Sequence, residues 1–381
     1  MKLCCVPNFG ITRIGTHQYA EQHAVRFLEE LSAGLGGVVL CAPEMIGREG
    51  TRIHGYDITN SQGITTATRR WFVKYRLMFY GLSVLWLLPI IVRSDFLYIF
   101  LPGRLGVMAA LLAIIMRRPY GIYLRGSRID LFGVAFSLSR AAFVLAAGPF
   151  LRDVAARYCD TCDVVSPMFD IGAADLQLNR VQRIRSDKWR LLYVGTLEEA
   201  KGTLELLDAV EILRQRGRAV ELDLVGNWVD AQLGRKVETE KGLYCAARFS
   251  GAIDDRSRIR TYFLDSDLFV FPSHSEGFPR VLYEAMCFGL PIVTTMVDGI
   301  PSVMQAGVNC LAVPVGDASA LADAIDQALE DVTLREKLAA GGLSTMRNIF
   351  AENKKSHAEQ VIERVRRVSA KARIGAGREE T

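Results

Sequence analysis

Short apolar runs alternate with longer segments of helical periodicity along most of this chain. In such a pattern each apolar run is a strand buried on both faces, and each longer segment is the helix that leads to the next strand. The alternation therefore predicts an α/β fold with parallel sheets rather than a β-sandwich. The predicted strands are Leu3–Val6, Gly37–Cys41, Phe96–Leu101 and Gly121–Leu124 in the first half, and Arg190–Val194, Val220–Val225, Leu268–Phe271 and Pro291–Thr294 in the second.

Two domains are expected, because 381 residues exceed the usual length of one domain, about 150 residues. The polar stretch 173–188 separates the two sets of strands, so we predict an N-terminal domain at 1–185 and a C-terminal domain at 186–350. Apolar residues at helical spacing predict an amphipathic terminal helix within 351–381. The other predicted helices are Gln18–Ser32, Leu105–Met116, Thr203–Arg216, Pro279–Phe288 and Ala318–Leu329.

The charged residues are nearly balanced, with 46 Lys and Arg against 42 Asp and Glu and a net charge of +4. This balance argues against a nucleic-acid partner. The eight Cys residues lack the paired spacing of a tetrahedral metal site, so we expect reduced thiols and no bound metal. The first apolar run is shorter than the about 7–15 residues of a signal peptide, and we expect a cytoplasmic location.

One apolar segment stands out from this composition. The sixteen residues Leu77–Val92 carry no charge, and several basic and aromatic residues precede them. A spanning helix needs about 20 such residues, so a membrane span is disfavoured. Two alternatives stay open: a helix of the protein core, or a helix lying on an anionic membrane surface.

The most informative segment is the predicted unit of strand, loop and helix from Leu268 to Pro291. The strand ends at Pro272, a Ser-Glu-Gly turn follows, and Pro279 lies at the first turn of the helix. In parallel α/β sheets ligands bind beyond the carboxyl ends of the strands, and the free N–H groups of a helix start favour a phosphate. The segment therefore predicts a phosphate-containing ligand.

Two carboxylates flank this predicted phosphate position. Glu276 lies in the loop and Glu284 on the helix, roughly 12 Å apart along a helical axis. Each carboxylate could accept hydrogen bonds from hydroxyl groups of one extended ligand. A sugar nucleotide is such a ligand, because it has hydroxyls on both sides of its diphosphate. Two Glu residues at this spacing are also common on solvated helix surfaces, so the spacing alone leaves both interpretations open.

The surrounding residues resemble the C-terminal domain of the retaining glycosyltransferases of family four, which have the GT-B fold. The resemblance covers roughly residues 190–350 and implies two Rossmann-like domains that face each other across a cleft. It is carried by SDLFVFPS at 266–273, SEGF at 275–278, EAM at 284–286, GLPIV at 289–293, DGIP at 298–301, GVNCL at 307–311 and VGTLEEAKG at 194–202.

The resemblance implies a donor site for a nucleoside-diphosphate sugar. Glu276 would hold hydroxyls of the donor sugar, and Glu284 would hold the ribose. Lys201 would neutralise the departing diphosphate. The segment ending at Ile253 resembles the one whose backbone meets the nucleobase. The helix start that would meet the diphosphate comprises Gly277, Phe278 and Pro279.

The chain departs from the family pattern at two positions. Thr196 stands where the family usually has an Arg that clamps the phosphates, and Arg125 stands where many relatives have a His after a strand. Arg125 therefore has two open roles, contact with donor phosphates or acceptor, and support of a strand end. Gly10 and Gly15 lie in the loop that by position borders the cleft, without the paired-glycine signature of many relatives.

The function implied is a retaining transfer of a sugar to a hydroxyl of a saccharide or lipid-linked acceptor, in cell-surface polysaccharide or glycolipid synthesis. No metal or other cofactor is expected, because Asp265-Ser266-Asp267 precedes a strand instead of ending one. The basic, aromatic flank of Leu77–Val92 adds the hypothesis of peripheral contact with an anionic membrane. The alternatives are a sugar-nucleotide epimerase or hydrolase on the same fold, and a non-catalytic nucleotide-sugar-binding assembly protein.

Overall fold

The computed structural model of the chain folds into two units, each described here by itself. One unit comprises Met1–Phe169 with Lys355–Thr381, and the other comprises Asp170–Lys354. The structure describes residues 1–20, 22–47, 56–70, 76–126, 129, 131–165, 171–172, 174–177, 188–239, 246–253, 255–277, 279–352 and 355–379.

The first unit is built on a ten-stranded sheet in the order β10-β9-β8-β7-β1-β4-β2-β3-β5, with β6 paired to β4. Its pairs are parallel except β2 with β3 and β3 with β5. The strands are β1 Leu3–Val6, β2 Ile11–Ile14, β3 His17–Ala20, β4 Val38–Ile46, β5 Tyr56–Asp57, β6 Ile64–Arg70, β7 Phe96–Leu101, β8 Tyr120–Leu124, β9 Phe143–Ala146 and β10 Cys162–Val164. The helices are α1 Gln22–Leu35, α2 Arg76–Val92, α3 Arg104–Ile115, α4 Val134–Ser139 and α5 Pro149–Ala155.

The second unit has a six-stranded, fully parallel sheet in the order β13-β12-β11-β14-β15-β16. Chain order runs outward from β11 to β13 and then returns to β14 on the other side of β11, so the strand order reverses there. The strands are β11 Trp189–Val194, β12 Val220–Val225, β13 Ala247–Gly251, β14 Leu268–Phe271, β15 Ile292–Thr295 and β16 Leu311–Val313. The helices are α6 Thr203–Gln215, α7 Ala231–Thr239, α8 Arg256–Asp265, α9 Arg280–Cys287, α10 Ala318–Glu330 and α11 Val332–Glu352.

The division between the units differs from the predicted boundary near residue 185. Asp175 lies in a short 3-10 turn, Asp175–Gln177, and its carboxylate pairs with Arg260 and Arg256 of α8. These contacts attach part of the predicted linker to the second unit. Charge pairing across 85 positions of sequence is invisible to a reading of local composition.

The last helix, α12 His357–Glu379, also differs from the prediction, because it belongs to the first unit instead of forming a separate tail. Val361 and Val365 are fully buried. At its start, His357 Nε2 and Tyr98 Oη lie 2.7 Å apart and share a hydrogen bond. Burial, together with the nearby charge of Arg125, lowers the pKa of His357 to about 3.

The first helix begins later than predicted. Gln18–Ser32 was predicted as helix, but Ile11–Ile14 and His17–Ala20 form a β-hairpin, and α1 begins at Gln22. Strand β2 pairs with the last residues of β4, which extends well beyond the predicted end at Cys41. Pairing between distant strands therefore overrides the local periodicity.

The uncharged run Leu77–Val92 lies in α2, and its buried residues fit the core-helix alternative, whereas contact with a membrane surface stays a prediction. Ser83, Leu87 and Ile91 are buried on one face of this helix, while Leu85 and Val92 are exposed on the other. The residues 71–75 of the basic, aromatic flank lie outside the described residues. Among the helices of the described residues, none has the length and apolarity required to cross a membrane.

Candidate active site

The second unit brings its conspicuous polar residues together where the strand order reverses. Strands β11 and β14 are direct parallel neighbours, with Leu191 opposite Leu268. The loop after β11 carries Thr196 and Lys201, and the loop after β14 carries Glu276. Because both loops leave the same edge of the sheet, residues 75 positions apart in sequence become neighbours.

Glycine at position 202 allows the first loop to approach β14. Gly202 has φ +67 and lies between the 3-10 turn Glu199–Lys201 and the start of α6. A Cβ atom at this position would lie 2.1 Å from the carbonyl oxygen of Pro272, directly after β14. Only glycine fits this left-handed backbone and this close approach. The result places Lys201 against the end of β14.

Lys201 and Glu276 form the centre of the site. Lys201 Nζ donates to Glu276 Oε1 at 2.5 Å and to the carbonyl oxygen of Ser275 at 3.3 Å. The Ser273 hydroxyl donates to the same Glu276 oxygen at 3.1 Å. The side chains of Lys201 and Glu276 are 21% and 13% exposed, so water only partly screens their attraction. The pair is held in position while each group retains some access to solvent.

Asp298 fixes the loop that carries Glu276. Its Oδ2 atom accepts hydrogen bonds from the Glu276 backbone N–H at 2.9 Å and from the Ser275 hydroxyl at 2.7 Å. Asp298 has φ +45, a left-handed conformation that few residues other than glycine adopt. In the sequence, Asp298 contributes only to the family resemblance, through DGIP at 298–301, which predicts no role for it. Its signal is Asp followed by Gly after a strand, which also fits an ordinary turn.

Helix α9 begins directly after this loop. Pro279 is buried at its N-cap, and Leu282, Ala285 and Met286 face the core. Glu284 lies on the other side of this helix and is half-buried. Gly277 is half-buried before the helix, whereas the predicted contact Phe278 lies outside the described residues. The arrangement places the helix start and two carboxylates at one edge of the sheet.

Thr196 occupies the same edge as Lys201. It is exposed, and its hydroxyl donates to Glu198 Oε1 at 3.3 Å. The Tyr193 hydroxyl donates to the Thr196 carbonyl at 2.8 Å, and burial raises the pKa of this phenol, which keeps it a neutral donor. Thr196 therefore supplies a hydroxyl at the position where the family usually has a charge.

The ends of β12 and β13 complete this edge. A Cβ atom at Gly226 would lie 1.8 Å from the carbonyl oxygen of Gly195, so the chain after β12 lies tightly against the chain after β11. Asn227 Oδ1 accepts a hydrogen bond from the Ala252 backbone N–H at 2.9 Å, and Ile253 is buried beside it. Ile253 thus lies in a fixed turn beyond β13.

The candidates of the first unit form a looser group. Arg125, at the end of β8, donates to Asn8 Oδ1 at 3.1 Å, and its guanidinium lies 5.9 Å from the ring centre of Tyr123. Gly10 packs beside Pro43, with 3.3 Å from its Cβ position to the Pro43 oxygen. Gly15 has φ +57 and no neighbour within 4 Å of its Cβ position, because it forms the turn between β2 and β3. The structure thus gives Gly15 a conformational role in the hairpin.

The Asp265-Ser266-Asp267 segment lies at the opposite edge of the second sheet. Asp267 Oδ2 accepts a hydrogen bond from the Arg190 backbone N–H at 2.8 Å, which joins the starts of β14 and β11. Within the described part of the chain, no three His, Cys, Asp or Glu side chains are grouped so that they could hold a metal ion.

Comparison with known proteins identifies the second unit. The profile of the family described as Glycosyl transferases group 1 matches residues 176–344. The capsular polysaccharide biosynthesis glycosyltransferase CapM of Staphylococcus aureus is 27% identical over 173 residues, 45% of each chain. The putative teichuronic acid biosynthesis glycosyltransferase TuaC of Bacillus subtilis is 28% identical over 275 residues, 66% of each chain. The matched segments therefore span less than two thirds of either relative.

The fold as a whole also has known relatives. The crystal structure of Anabaena Alr3699/HepE in complex with UDP-glucose superposes with a TM-score of 0.67 at 18% sequence identity, covering 97% of this chain and 100% of that one. The two parallel α/β units are those of the GT-B fold, as the resemblance implied. Residues 176–344 are therefore similar to the family described as Glycosyl transferases group 1.

Proposed function

We propose that this protein is a retaining glycosyltransferase that moves a hexosyl group from a nucleoside-diphosphate sugar to a hydroxyl of a saccharide or lipid-linked acceptor. The observation that carries the proposal is the 2.5 Å contact between Lys201 and Glu276 where the strand order of the second sheet reverses. A cation and a carboxylate at this point suit a ligand that contains both a diphosphate and sugar hydroxyls. The family of the second unit supports the same reaction class.

The donor would lie along the carboxyl edge of the second sheet. Glu276 accepts hydrogen bonds from the hydroxyls of the transferred sugar, and the start of α9 faces the diphosphate. Glu284 accepts hydrogen bonds from the ribose hydroxyls. The turn at Ile253 lies beyond β13, where the base would rest, and Thr196 offers one hydroxyl to a phosphate oxygen. These roles follow the family resemblance and the edge that the residues share.

The chemical step is a front-side substitution. The bond between the anomeric carbon and the β-phosphate oxygen breaks, the acceptor oxygen bonds to that carbon on the same face, and the acceptor proton passes to the departing phosphate. Negative charge grows on that phosphate, and Lys201 stabilises it. Lys201 leaves its short contact with Glu276 when the diphosphate arrives, and Glu276 is then free to accept sugar hydroxyls.

We propose that no metal or other cofactor takes part. The positive end of α9 and the ammonium of Lys201 supply the charge that a cation provides in other transferases. In the first unit, Arg125 supplies a further cation for an acceptor group or a donor phosphate. Thr196 carries no charge at a position where the family usually has an Arg. Lys201 is therefore the principal cation for the leaving group.

The acceptor belongs to cell-surface polysaccharide or glycolipid synthesis, and the reaction takes place in the cytoplasm. Relatives named for capsular polysaccharide and teichuronic acid synthesis support this assignment. Because the chain spans less than two thirds of the length of these relatives, their acceptors do not identify the acceptor of this chain. That acceptor requires the direct test below.

The experiment follows release of nucleoside diphosphate from a panel of UDP- and GDP-sugars, with and without a bacterial membrane extract as acceptor source. We expect release that requires one donor together with the extract and that is lost in Glu276→Ala. A Glu221→Ala variant is the control, because Glu221 lies on β12 away from the carboxyl edge.

Three other results would contradict the proposal. Free sugar or an isomer formed from donor alone indicates the hydrolase or epimerase. Tight nucleotide binding without release in any combination indicates the non-catalytic binding protein. Equal loss of release in Glu276→Ala and Glu221→Ala indicates that both substitutions act through folding.

A further inference from the structure

From Leu82 to Val92, helix α2 carries apolar residues on its outer face and, apart from Ser83, on its buried face. Ser83, Leu87 and Ile91 recur every four residues on the buried face. On the outer face, Leu85 is 69% exposed, and Leu82 and Val92 are exposed beside it. A helix at the surface of a water-soluble unit normally carries polar residues on its outer side. Among the described residues, this outer face is therefore an apolar surface open to solvent.

Helix α3 continues the same surface. After Arg104 it contains no polar side chain, and Ile115 at its end is 67% exposed, followed by exposed Met116. The ends of the two helices lie side by side, because Arg118 donates to the Val92 carbonyl oxygen at 2.6 Å. We call Leu82, Val84, Leu85, Val92, Ile115 and Met116 the α2–α3 face.

The segment of sequence that contains this face is rich in arginine. Residues 76–140 contain eight Arg and two Asp, with no Lys or Glu, in a chain whose net charge is only +4. Arg93 and Arg117 are exposed where α2 and α3 end, next to Val92 and Ile115. One of the two acidic residues, Asp95, accepts a hydrogen bond from the Lys2 backbone N–H at 2.7 Å.

We infer that the α2–α3 face docks on the surface of an anionic lipid bilayer. The apolar side chains enter the boundary between headgroups and acyl chains, and the arginines around them contact lipid phosphates. Neither helix needs to cross the bilayer for this contact. A second copy of the chain is a poorer occupant, because pairing two such faces would bring like charges together. The inference does not depend on sugar transfer, since the face lies wholly within the first unit.

The test uses the full chain and vesicles, without any sugar nucleotide. We expect co-sedimentation with vesicles of phosphatidylcholine mixed with phosphatidylglycerol, little with phosphatidylcholine alone, and a decrease as salt is raised. Leu85→Glu with Ile115→Glu is expected to weaken binding at least about tenfold, because two charges replace inserted apolar groups. Arg93→Gln and Arg117→Gln are each expected to weaken it about fivefold.

The matched control is Val308→Glu with Val332→Glu, which adds the same charge at exposed apolar positions of the second unit. Melting temperatures of all variants report whether each one folds. Equal weakening by the control pair, or equal binding to both kinds of vesicle, would overturn the proposal. So would a dimer in solution that fails to bind vesicles and that Leu85→Glu with Ile115→Glu converts to monomer, which would assign the face to a second copy.

Discussion

The two units differ in how they hold polar residues at the carboxyl ends of their strands. In the second unit, Lys201, Ser273 and Asp298 all hydrogen-bond Glu276 or its loop. In the first unit, Arg125 contacts Asn8 and lies over aromatic rings. A site that acts on developing charge requires groups fixed in advance. We therefore expect the proposed chemistry to depend most on Glu276 and its partners, and we expect Arg125 to affect contacts with the acceptor.

The largest effect is expected when Glu276, the carboxylate held by Lys201 and Ser273 in the second unit, is replaced. Glu276→Gln keeps the shape of the side chain but removes the charge that Lys201 contacts, so we expect transfer to fall about 10²–10³-fold in kcat/KM. Glu221→Gln on β12 is the control and should retain most activity. Measurement is by nucleoside diphosphate release with acceptor present. Retention of more than a tenth of the activity in Glu276→Gln would contradict the assignment.

Lys201→Met removes the cation that, in the proposed mechanism, faces the leaving group. We expect a loss of about 10²-fold that falls mainly on kcat, because the negative charge that Lys201 stabilises grows only as the donor bond breaks. Lys188→Met removes a lysine just before β11 and serves as the control. The double variant Lys201→Met with Glu276→Gln should lose much less than the product of the single losses, since the two residues share one contact. Multiplicative losses would contradict their joint action.

At Gly202, the effect of the close approach on stability can be separated from the effect of the left-handed backbone conformation. Gly202 and Gly217 both have positive φ, +67 and +83, but only Gly202 has a neighbour within 4 Å of its Cβ position. We expect Gly217→Ala to lower the free energy of unfolding by about 1 kcal/mol, from backbone strain alone. Gly202→Ala should cost at least about 2 kcal/mol more, because its methyl group overlaps the Pro272 oxygen. Equal losses in urea denaturation would show that the loop moves freely.

Arg125→Gln tests the candidate cation of the first unit. If the first unit binds the acceptor, loss of this charge should raise the acceptor KM about tenfold while leaving the donor KM nearly unchanged. Arg140→Gln, at an exposed arginine after α4, is the control. An effect confined to the donor KM would instead assign Arg125 to the donor phosphates. An effect on thermal stability alone would assign it to support of the strand end.

The last prediction, whose effect is absent at neutral pH, concerns the docking of α12 in the first unit. Burial lowers the pKa of His357 to about 3, and in the unfolded chain this pKa is about 6.5. Below pH 6.5 the unfolded state therefore binds a proton that the folded state excludes. Stability should fall as pH decreases from 6.5 toward 3, by up to about 1.4 kcal/mol per pH unit. His357→Gln should abolish this contribution, although it also weakens the protein at neutral pH, and an unchanged pH slope in urea denaturation would contradict the assignment.

The buried strands were largely predictable from the sequence. Phe96–Leu101, Val220–Val225 and Leu268–Phe271 have the same bounds in prediction and structure. Such strands form continuous apolar runs because both of their faces are covered. The hairpin at Ile11–Ala20 and the edge strand β13 were missed, since half-exposed strands have no comparable run and depend on their neighbours for pairing.

The identity of most candidate site residues was predictable from the sequence, but the contacts between them were not. Spacing and family resemblance selected Lys201 and Glu276, whereas their 2.5 Å contact depends on β11 and β14 being parallel neighbours. Asp298 was not assigned a role, because its two hydrogen bonds to the Glu276 loop come from the loop after a third strand, β15. Gly15 was placed at a predicted site, and the structure places it in a hairpin turn.

By itself the sequence determined the α/β class, most of the buried strands and the family resemblance of the second unit, because these depend on local periodicity and on short motifs. Tertiary structure decided which strands are neighbours, and thereby which polar groups meet. It also decided that α12 packs on the first unit and that α2 turns one apolar face to the core and another outward. The physical reason is the same in each case: the free energy of burial and pairing depends on surfaces that residues far apart in sequence create together.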